Sequence, residues 1–264
     1  MGIGSNKIKY IQSLKLKKFR DRHQVFVAEG DKIVRELLQS TFQIKLLCAL
    51  HQWIDHSREI IPEKTEVIAV STAELERIST LKTPNQVLAV VEKPSEEWSD
   101  DLFRQGPVLA LDDLRDPGNL GTIIRTADWF GIRHIFCSPS TTDLYSPKVI
   151  QATMGSFLRV RLHYTPLPAL ISGVQHIIPI YGASLDGRSM YEYTPEIPAM
   201  LVIGNESAGI GKEVSSFIRQ QVKIPSALMQ RSEGLNGTGT AESLNAAVAA
   251  GILMAWLHGA SQKH

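Results

Sequence analysis

The chain has 264 residues, 43% of them hydrophobic, and its 28 Lys+Arg against 27 Asp+Glu leave a formal net charge of +1. That is enough apolar material for one large or two modest domains, and too even a charge to mark the whole surface as polyanion-binding. Two widely separated cysteines, the lack of an apolar run of bilayer length and an N-terminus without an apolar core argue against a disulfide framework, a membrane span and a secretory leader, so a cytoplasmic protein is expected.

In chain order, residues 5–22 read as a basic amphipathic helix. Ile8, Ile11 and Leu14 lie on one side, and Lys7, Lys9, Lys15, Lys17, Lys18, Arg20 and Arg22 crowd the rest, with Asp21 the only acid. Such a run is either a solvated helix face or a phosphate-contacting surface. Strands are expected at 25–30, 43–50 and within 60–70, helices at 31–40 and 71–79 (capped by Ser71 or Thr72), and a turn at 81–86 feeding a strand to 91. This alternation makes residues 1–95 a small α/β domain, and the acidic, proline-bearing stretch 93–101 is the best linker. A second α/β domain is expected over 105–264.

That second domain opens on a short apolar strand, 108–111, stopped by Asp116-Pro117-Gly118-Asn119. Asn119 is placed as the N-cap of a helix carrying Leu120, Ile123, Ile124 and Ala127 inward and closed by Gly131. Arg125 falls on another face of that helix. Further strands are read at 133–137, 160–164, 177–181, 200–203 and 222–225, with a helix at 146–154. The last helix, 241–258, is apolar nearly all round, so a second burying surface, such as a subunit interface, is expected for it.

The chemistry is narrowed by elimination. Gly204 to Lys212 imitates a phosphate loop, but Ile210 stands where the pattern needs Lys. There is no G-x-G-x-x-G between a strand and a helix, no His/Cys/carboxylate cluster at metal spacing and no nucleophile elbow. Three glycine-bearing loops at strand carboxyl ends remain, at 116–121, 204–211 and 234–245. They suit a ligand held by main-chain groups.

Together these loops resemble the three motifs of the SpoU–TrmH family, ribose 2′-O-methyltransferases of the SPOUT class. The first is matched by Asp116-Pro117-Gly118-Asn119-Leu120-Gly121 through Arg125 to Ala127. The second is matched by Leu201-Val202-Ile203-Gly204-Asn205-Glu206-Ser207-Ala208-Gly209. The third is split between Val222-Lys223-Ile224-Pro225 and Glu242-Ser243-Leu244-Asn245-Ala246-Ala247-Val248-Ala249. In the first domain, Phe26-Val27-Ala28-Glu29-Gly30 and Thr83-Pro84-Asn85-Gln86-Val87-Leu88-Ala89-Val90 resemble the family's L30e-like substrate-binding domain. The resemblance implies an L30e-like α/β domain followed by an open parallel-sheet domain with a C-terminal trefoil knot. It also implies a homodimer, with S-adenosylmethionine as cofactor, RNA as partner and no metal.

By position, the resemblance makes Arg125 the catalytic arginine, Asn119 its helper and Glu206 an orienting carboxylate, with Ser243 and Asn245 tying the third loop to the active site. Ala183 (or Ser184), Gly204, Ile224 and Leu244 would line the cofactor pocket. A guanidinium keeps its proton in proteins, so stabilising the developing ribose alkoxide suits Arg125 better than acting as a base, with a substrate phosphate aiding proton transfer. The third motif departs from the family in its length. Residues 226–240 intervene, and Glu233-Gly234-Leu235-Asn236 half-repeats Glu242-Ser243-Leu244-Asn245, so the loop, with Arg231, is a lid, an RNA contact or a tolerated insertion.

The reading reached is S-adenosylmethionine-dependent 2′-O-methylation of structured RNA, with ribosomal RNA favoured over tRNA. Lys15, Lys17, Lys18 and Arg20 then become part of the RNA surface. The rival is a non-catalytic RNA-binding or assembly protein that retains the fold.

Overall fold

A computed structural model describes residues 2–95, 97–227 and 243–261. The long loop with Arg231, the half-repeat at 233–236 and Glu242 of the third motif lie outside the described residues. The elements run α1 (Ser5–Ser13), α2 (Lys17–His23), β1 (Val25–Glu29), α3 (Asp31–Leu38), β2 (Ile44–Ala49), α4 (His51–Ser57), β3 (Glu66–Ala69), α5 (Thr72–Ile78) and β4 (Val87–Glu92). They continue as β5 (Val108–Leu111), α6 (Pro117–Trp129), β6 (His134–Cys137), α7 (Pro147–Ala152), β7 (Arg161–Tyr164), α8 (Leu167–Val174), β8 (Ile180–Ser189), β9 (Met200–Ile203), α9 (Lys212–Ser215), β10 (Gln220–Lys223) and α10 (Ala246–Ser261).

Two compact units result. The first joins Met1–Ser95 with Asp143–Leu158, and the second joins Glu96–Thr142 with Arg159–His264. The first is therefore not contiguous in sequence. Its sheet has the order β1-β4-β2-β3, with β4 antiparallel to both neighbours and β3 parallel to β2. On one face, Val25, Val27, Leu46, Cys48, Leu88 and Val90 pack with Ile8 and Ile11 of α1 and Leu75 and Ile78 of α5. On the other, Phe26 meets Tyr145 and Phe157 at ring-centroid distances of 4.8 and 5.8 Å. That is why β1 is buried along its whole length. The segment 143–158 completes an aromatic cover to which residues 1–95 contribute only Phe42, 6.2 Å from Phe26 and 6.0 Å from Phe157.

The expected single helix over 5–22 is two helices. The chain turns at Leu14–Leu16, and Arg20 explains how the break is tolerated. Its Nη1 donates to Leu14 O and Lys15 O, both at 2.8 Å, satisfying carbonyls that a helix end leaves without partners. Its Nη2 donates to Asp143 Oδ2 at 2.6 Å, and the Arg20 side chain is only 3% exposed. Arg20 is thus a buried structural cation, not part of an RNA-facing surface as expected. Paired, and hydrogen-bonded through both terminal nitrogens while its buried Nε has no partner, it is costly to break, since removing one partner of such a pair costs about 3–5 kcal/mol.

The second unit is a six-stranded, all-parallel sheet of order β10-β8-β9-β5-β6-β7. Its middle strands are continuous apolar runs, as strands covered on both faces must be. Leu167, Leu170, Ile171 and Val174 of α8 fill one side of the core with Leu102, Phe103 and Phe136. α6 packs against α10, which also meets β9. α10 begins at residue 246, not 241. Asn245 caps it, Oδ1 accepting from Ala247 N at 2.9 Å.

On β7, His163 is 2% exposed and its Nε2 lies 3.0 Å from His134 Nδ1. Burial first, then the His134 and Arg161 charges, push its pKa from 6.5 down to about 4. Below pH 6.5 the unfolded chain takes up a proton that the folded one refuses, so stability should fall as pH drops from about 6.5 to 4. The loss is roughly 3 kcal/mol for this one group. His163→Phe is expected to remove most of that acid-induced loss in urea unfolding at pH 7 and pH 4.5. Parallel losses in variant and parent would show that another group sets the acid limit.

Candidate active site

The site is built where β5 and β9 end side by side, Leu111 facing Ile203. Carboxyl ends of parallel strands are where open α/β sheets bind ligands. Asp112 Oδ2 accepts from Gly211 N at 2.8 Å, tying the loop after β9 to the end of β5. Asp113 takes a left-handed φ of 55° and donates its backbone N–H to Ser138 Oγ at 2.8 Å. Its Oδ1 accepts from Arg115 Nε at 3.0 Å, and this hydrogen bond holds the Asp113 carboxyl below its usual range.

The helix that follows starts three residues earlier than its sequence suggests. Asp116, not Asn119, is the N-cap of α6. Its side chain accepts from Asn119 N at 2.7 Å, with Pro117 in the first turn, where its missing N–H costs nothing. Released from capping, the Asn119 amide donates from Nδ2 to Glu206 Oε1 at 2.8 Å, and its Oδ1 accepts from Asn245 Nδ2 at 2.9 Å. One asparagine side chain therefore joins all three glycine-bearing loops.

The loop after β9 is a tight return. Asn205 and Gly209 exchange backbone hydrogen bonds at 2.9 Å in both directions, and Asn205 Oδ1 accepts from Ser207 N and Ala208 N. Asn205 Nδ2 reaches back to Asp113 O at 2.9 Å. Gly209 sits at φ 66°, and a Cβ on Gly204 would lie 2.2 Å from the Gly209 carbonyl carbon. Both glycines answer a geometric demand, one for a left-handed residue and one for backbone-on-backbone approach. Between this loop and the start of α6 lies an open cleft of about 580 Å³, lined by Asp113, Arg115, Asp116, Asn205, Glu206 and Ser207 among others.

The structure brings Asn119, Glu206 and Asn245 into one hydrogen-bonded chain. Arg125 and Ser243 do not join it. Arg125 is exposed on α6, and among the described residues its guanidinium has no hydrogen-bond or ion-pair partner. Ser243 is exposed too. Gly204 and Ile224 directly follow β9 and β10, and Ala183 lies within the adjacent β8, just past its 180–182 pairing with β9. Ala183 opens an excursion, since β8 pairs with β10 at 181–182 and again at 188–189. Leu244, just before the α10 cap, is 47% exposed despite its apolar side chain. An exposed leucine, a half-buried isoleucine and glycine-rich main chain at one sheet edge fit the adenine and methionine parts of S-adenosylmethionine, which need apolar surface and main-chain hydrogen bonds.

In the first unit, Lys17 pairs with Asp21 at 2.7 Å, Lys15 Nζ donates to Ser79 O at 3.3 Å, and Lys18 Nζ stands 5.0 Å above the Phe19 ring. Among the described residues no three His, Cys, Asp or Glu side chains converge as a metal site would require. None of their helices is long and apolar enough to cross a membrane.

The sequence matches the SpoU rRNA Methylase family over residues 106–255 and the MRM3-like substrate binding domain over residues 5–89. It is 30% identical to the 23S rRNA (guanosine(2553)-2′-O)-methyltransferase of Bacillus subtilis, with 97% of each chain covered. Among solved structures, a TrmH-family protein from Porphyromonas gingivalis superposes with a TM-score of 0.84 at 36% identity, covering 97% of this chain and 98% of that one. An AdoMet-bound rRNA methyltransferase from Sinorhizobium meliloti gives 0.81 at 29% identity, over 98% and 97% of the two chains.

Proposed function

The chain belongs to the SpoU rRNA methylase family, and we propose on that footing that it methylates a ribose 2′-hydroxyl of ribosomal RNA. The observation that carries this reading is the Asn245–Asn119–Glu206 chain. It holds the first, second and third motifs together at the ligand-binding edge of the sheet. Ribosomal RNA is favoured over tRNA because the Bacillus subtilis relative, matched over its whole length, is named for a 23S rRNA position.

S-adenosylmethionine, when bound, supplies the electrophilic methyl group. The chain's own residues do the rest. Ala183, Gly204, Ile224 and Leu244 would hold the cofactor through main-chain groups and apolar contact, with a knotted crossing of the last strands and α10 as the expected frame. Glu206, oriented by Asn119, aligns the ribose in the cleft. Asn245 keeps the third loop in register with it, and Ser243 stands at the same junction. Arg125, whose guanidinium has no partner among the described residues, would face the oxygen that gains charge as the 2′-hydroxyl passes its proton to a neighbouring substrate phosphate and displaces the neutral thioether from the methyl group. Lys15, Lys17 and Lys18 contribute phosphate contacts, Lys17 weakly because Asp21 already neutralises it.

Tritiated methyl transfer from S-adenosylmethionine to 23S rRNA transcribed in vitro tests the activity. Label retained in alkali-resistant dinucleotides marks the 2′-oxygen. RNA binding without transfer would favour the assembly-protein reading instead.

A homodimer is part of the proposal, supported by an uncovered apolar surface. Trp129 on α6 is 84% exposed and Val248 on α10 is 51% exposed, although those two helices pack together. Burying such side chains on association is worth about 1.5–3 kcal/mol each. Trp129→Glu is expected to shift the protein from dimer to monomer in sedimentation equilibrium. A dimer of unchanged affinity would place the interface elsewhere.

A further inference from the structure

Glu29, at the end of β1, is 3% exposed, and among the described residues its carboxylate is bonded by one short stretch. Ser79 Oγ donates to Oε2 at 2.5 Å, Thr80 N donates to Oε1 at 2.9 Å, and the Thr80 hydroxyl donates to Oε1 as well. Ser79 Oγ also accepts from Leu81 N at 3.0 Å. The far end of the same loop is clamped by main chain, with Leu50 N on Gln86 O at 3.0 Å and Gly30 N on Val87 O at 3.1 Å. A buried carboxylate that exchanges water for three donors of a surface loop stiffens that loop.

What the brace presents is uncommitted. Lys82, Thr83, Asn85 and Gln86 are exposed, and none of their side chains has a hydrogen-bond or ion-pair partner among the described residues. Lys15 flanks them, held on Ser79 O. Six other cations of the unit are answered by acids, Lys7 by Glu66, Lys17 and Lys93 by Asp21, Arg20 by Asp143, Arg35 by Asp31 and Lys45 by Glu92, whereas Lys82 stands on the braced loop itself. Gly30, beside this loop, holds φ 105°, a conformation that favours glycine, and a Cβ there would lie 3.3 Å from Asn85 Nδ2.

We propose that the braced 79–86 loop, with Lys15 at its side, is the surface that grips an unpaired stretch of the RNA substrate, and that Glu29 is its positioning residue. Lys82 and Lys15 take phosphates, while Thr83, Asn85 and Gln86 supply hydrogen bonds to base edges or 2′-hydroxyls. The basic run at the N-terminus contributes mainly through Lys15. This rests on the RNA methyltransferase reading above.

The test uses the full chain and 23S rRNA transcribed in vitro, with filter binding across a salt series and steady-state methyl transfer. Lys82→Ala combined with Asn85→Ala should raise KM for RNA several-fold, leave kcat at saturating RNA and cofactor affinity unchanged, and lower the log–log salt slope by about 1. Lys64→Ala, an exposed cation before β3, should match the parent. Glu29→Gln, which keeps size and removes charge, should raise KM without changing kcat. A parental KM and salt slope in the Lys82/Asn85 variant overturn the surface, and a parental KM in Glu29→Gln overturns the brace. A parent that binds the transcript but transfers no methyl group overturns the activity, while the binding series still decides the surface.

Discussion

Arg125→Ala is expected to reduce methyl transfer about 10²–10³-fold, the loss found when one preorganised donor to a developing oxyanion is removed. Cofactor affinity and melting temperature should stay at parental values. The side chain is exposed and no described residue depends on it, so truncation leaves no buried group without a partner. Titration calorimetry with S-adenosylmethionine separates the roles. Lost cofactor binding would move Arg125 from the reacting oxygen to the cofactor site. Arg125→Lys should recover only part of the rate, because an ammonium keeps the charge but not the planar fork of donors.

Gly204→Ala is expected to be the most damaging single methyl group in the second unit. The new Cβ would meet the Gly209 carbonyl carbon at 2.2 Å and Ile210 N at 2.4 Å, all backbone, with no flexible side chain able to give way. Either the Asn205–Gly209 return opens or β9 shifts, at about 1–3 kcal/mol or more. Both outcomes displace Glu206 from Asn119, so cofactor binding and transfer should fail together. Gly209→Ala is the informative contrast. Nothing lies within 4 Å of its Cβ, so only its φ of 66° is penalised, by about 1–2 kcal/mol. Equal damage from the two substitutions, in chemical denaturation and cofactor titration, would show that steric approach at 204 is not the controlling feature.

Much of the second unit was legible because its signals are local. β5 and β9 fall on the expected residues, 108–111 and 200–203, as short apolar runs stopped by turn chemistry. The cap of α6 is Asp116 where Asn119 is expected, although Pro117 marks the helix start, because both residues are good cappers. The helices α4, α8 and α9 are not among the expected elements. The second, Leu-Pro-Ala-Leu-Ile-Ser-Gly-Val, is apolar enough to hide its period. Non-local features were out of reach. Nothing in Lys17-Lys18-Phe19-Arg20 tells one cation from the next, yet Asp143, over a hundred residues on, takes Arg20 out of solvent. The buried carboxylate at Glu29 belongs to the same class, since its partners lie about fifty residues downstream.

The discontinuity of the first unit has a consequence for biosynthesis. Ribosomes release the chain from its N-terminus, and residues 1–95 emerge with Phe26 bare of Tyr145 and Phe157. The missing segment follows only after β5, α6 and β6 have been made. At about 5–20 residues per second the nascent half waits several seconds, its aromatic sheet face open to chaperones or to neighbouring chains. Completion of the substrate-binding half is thereby timed to follow synthesis of the first methyltransferase motif.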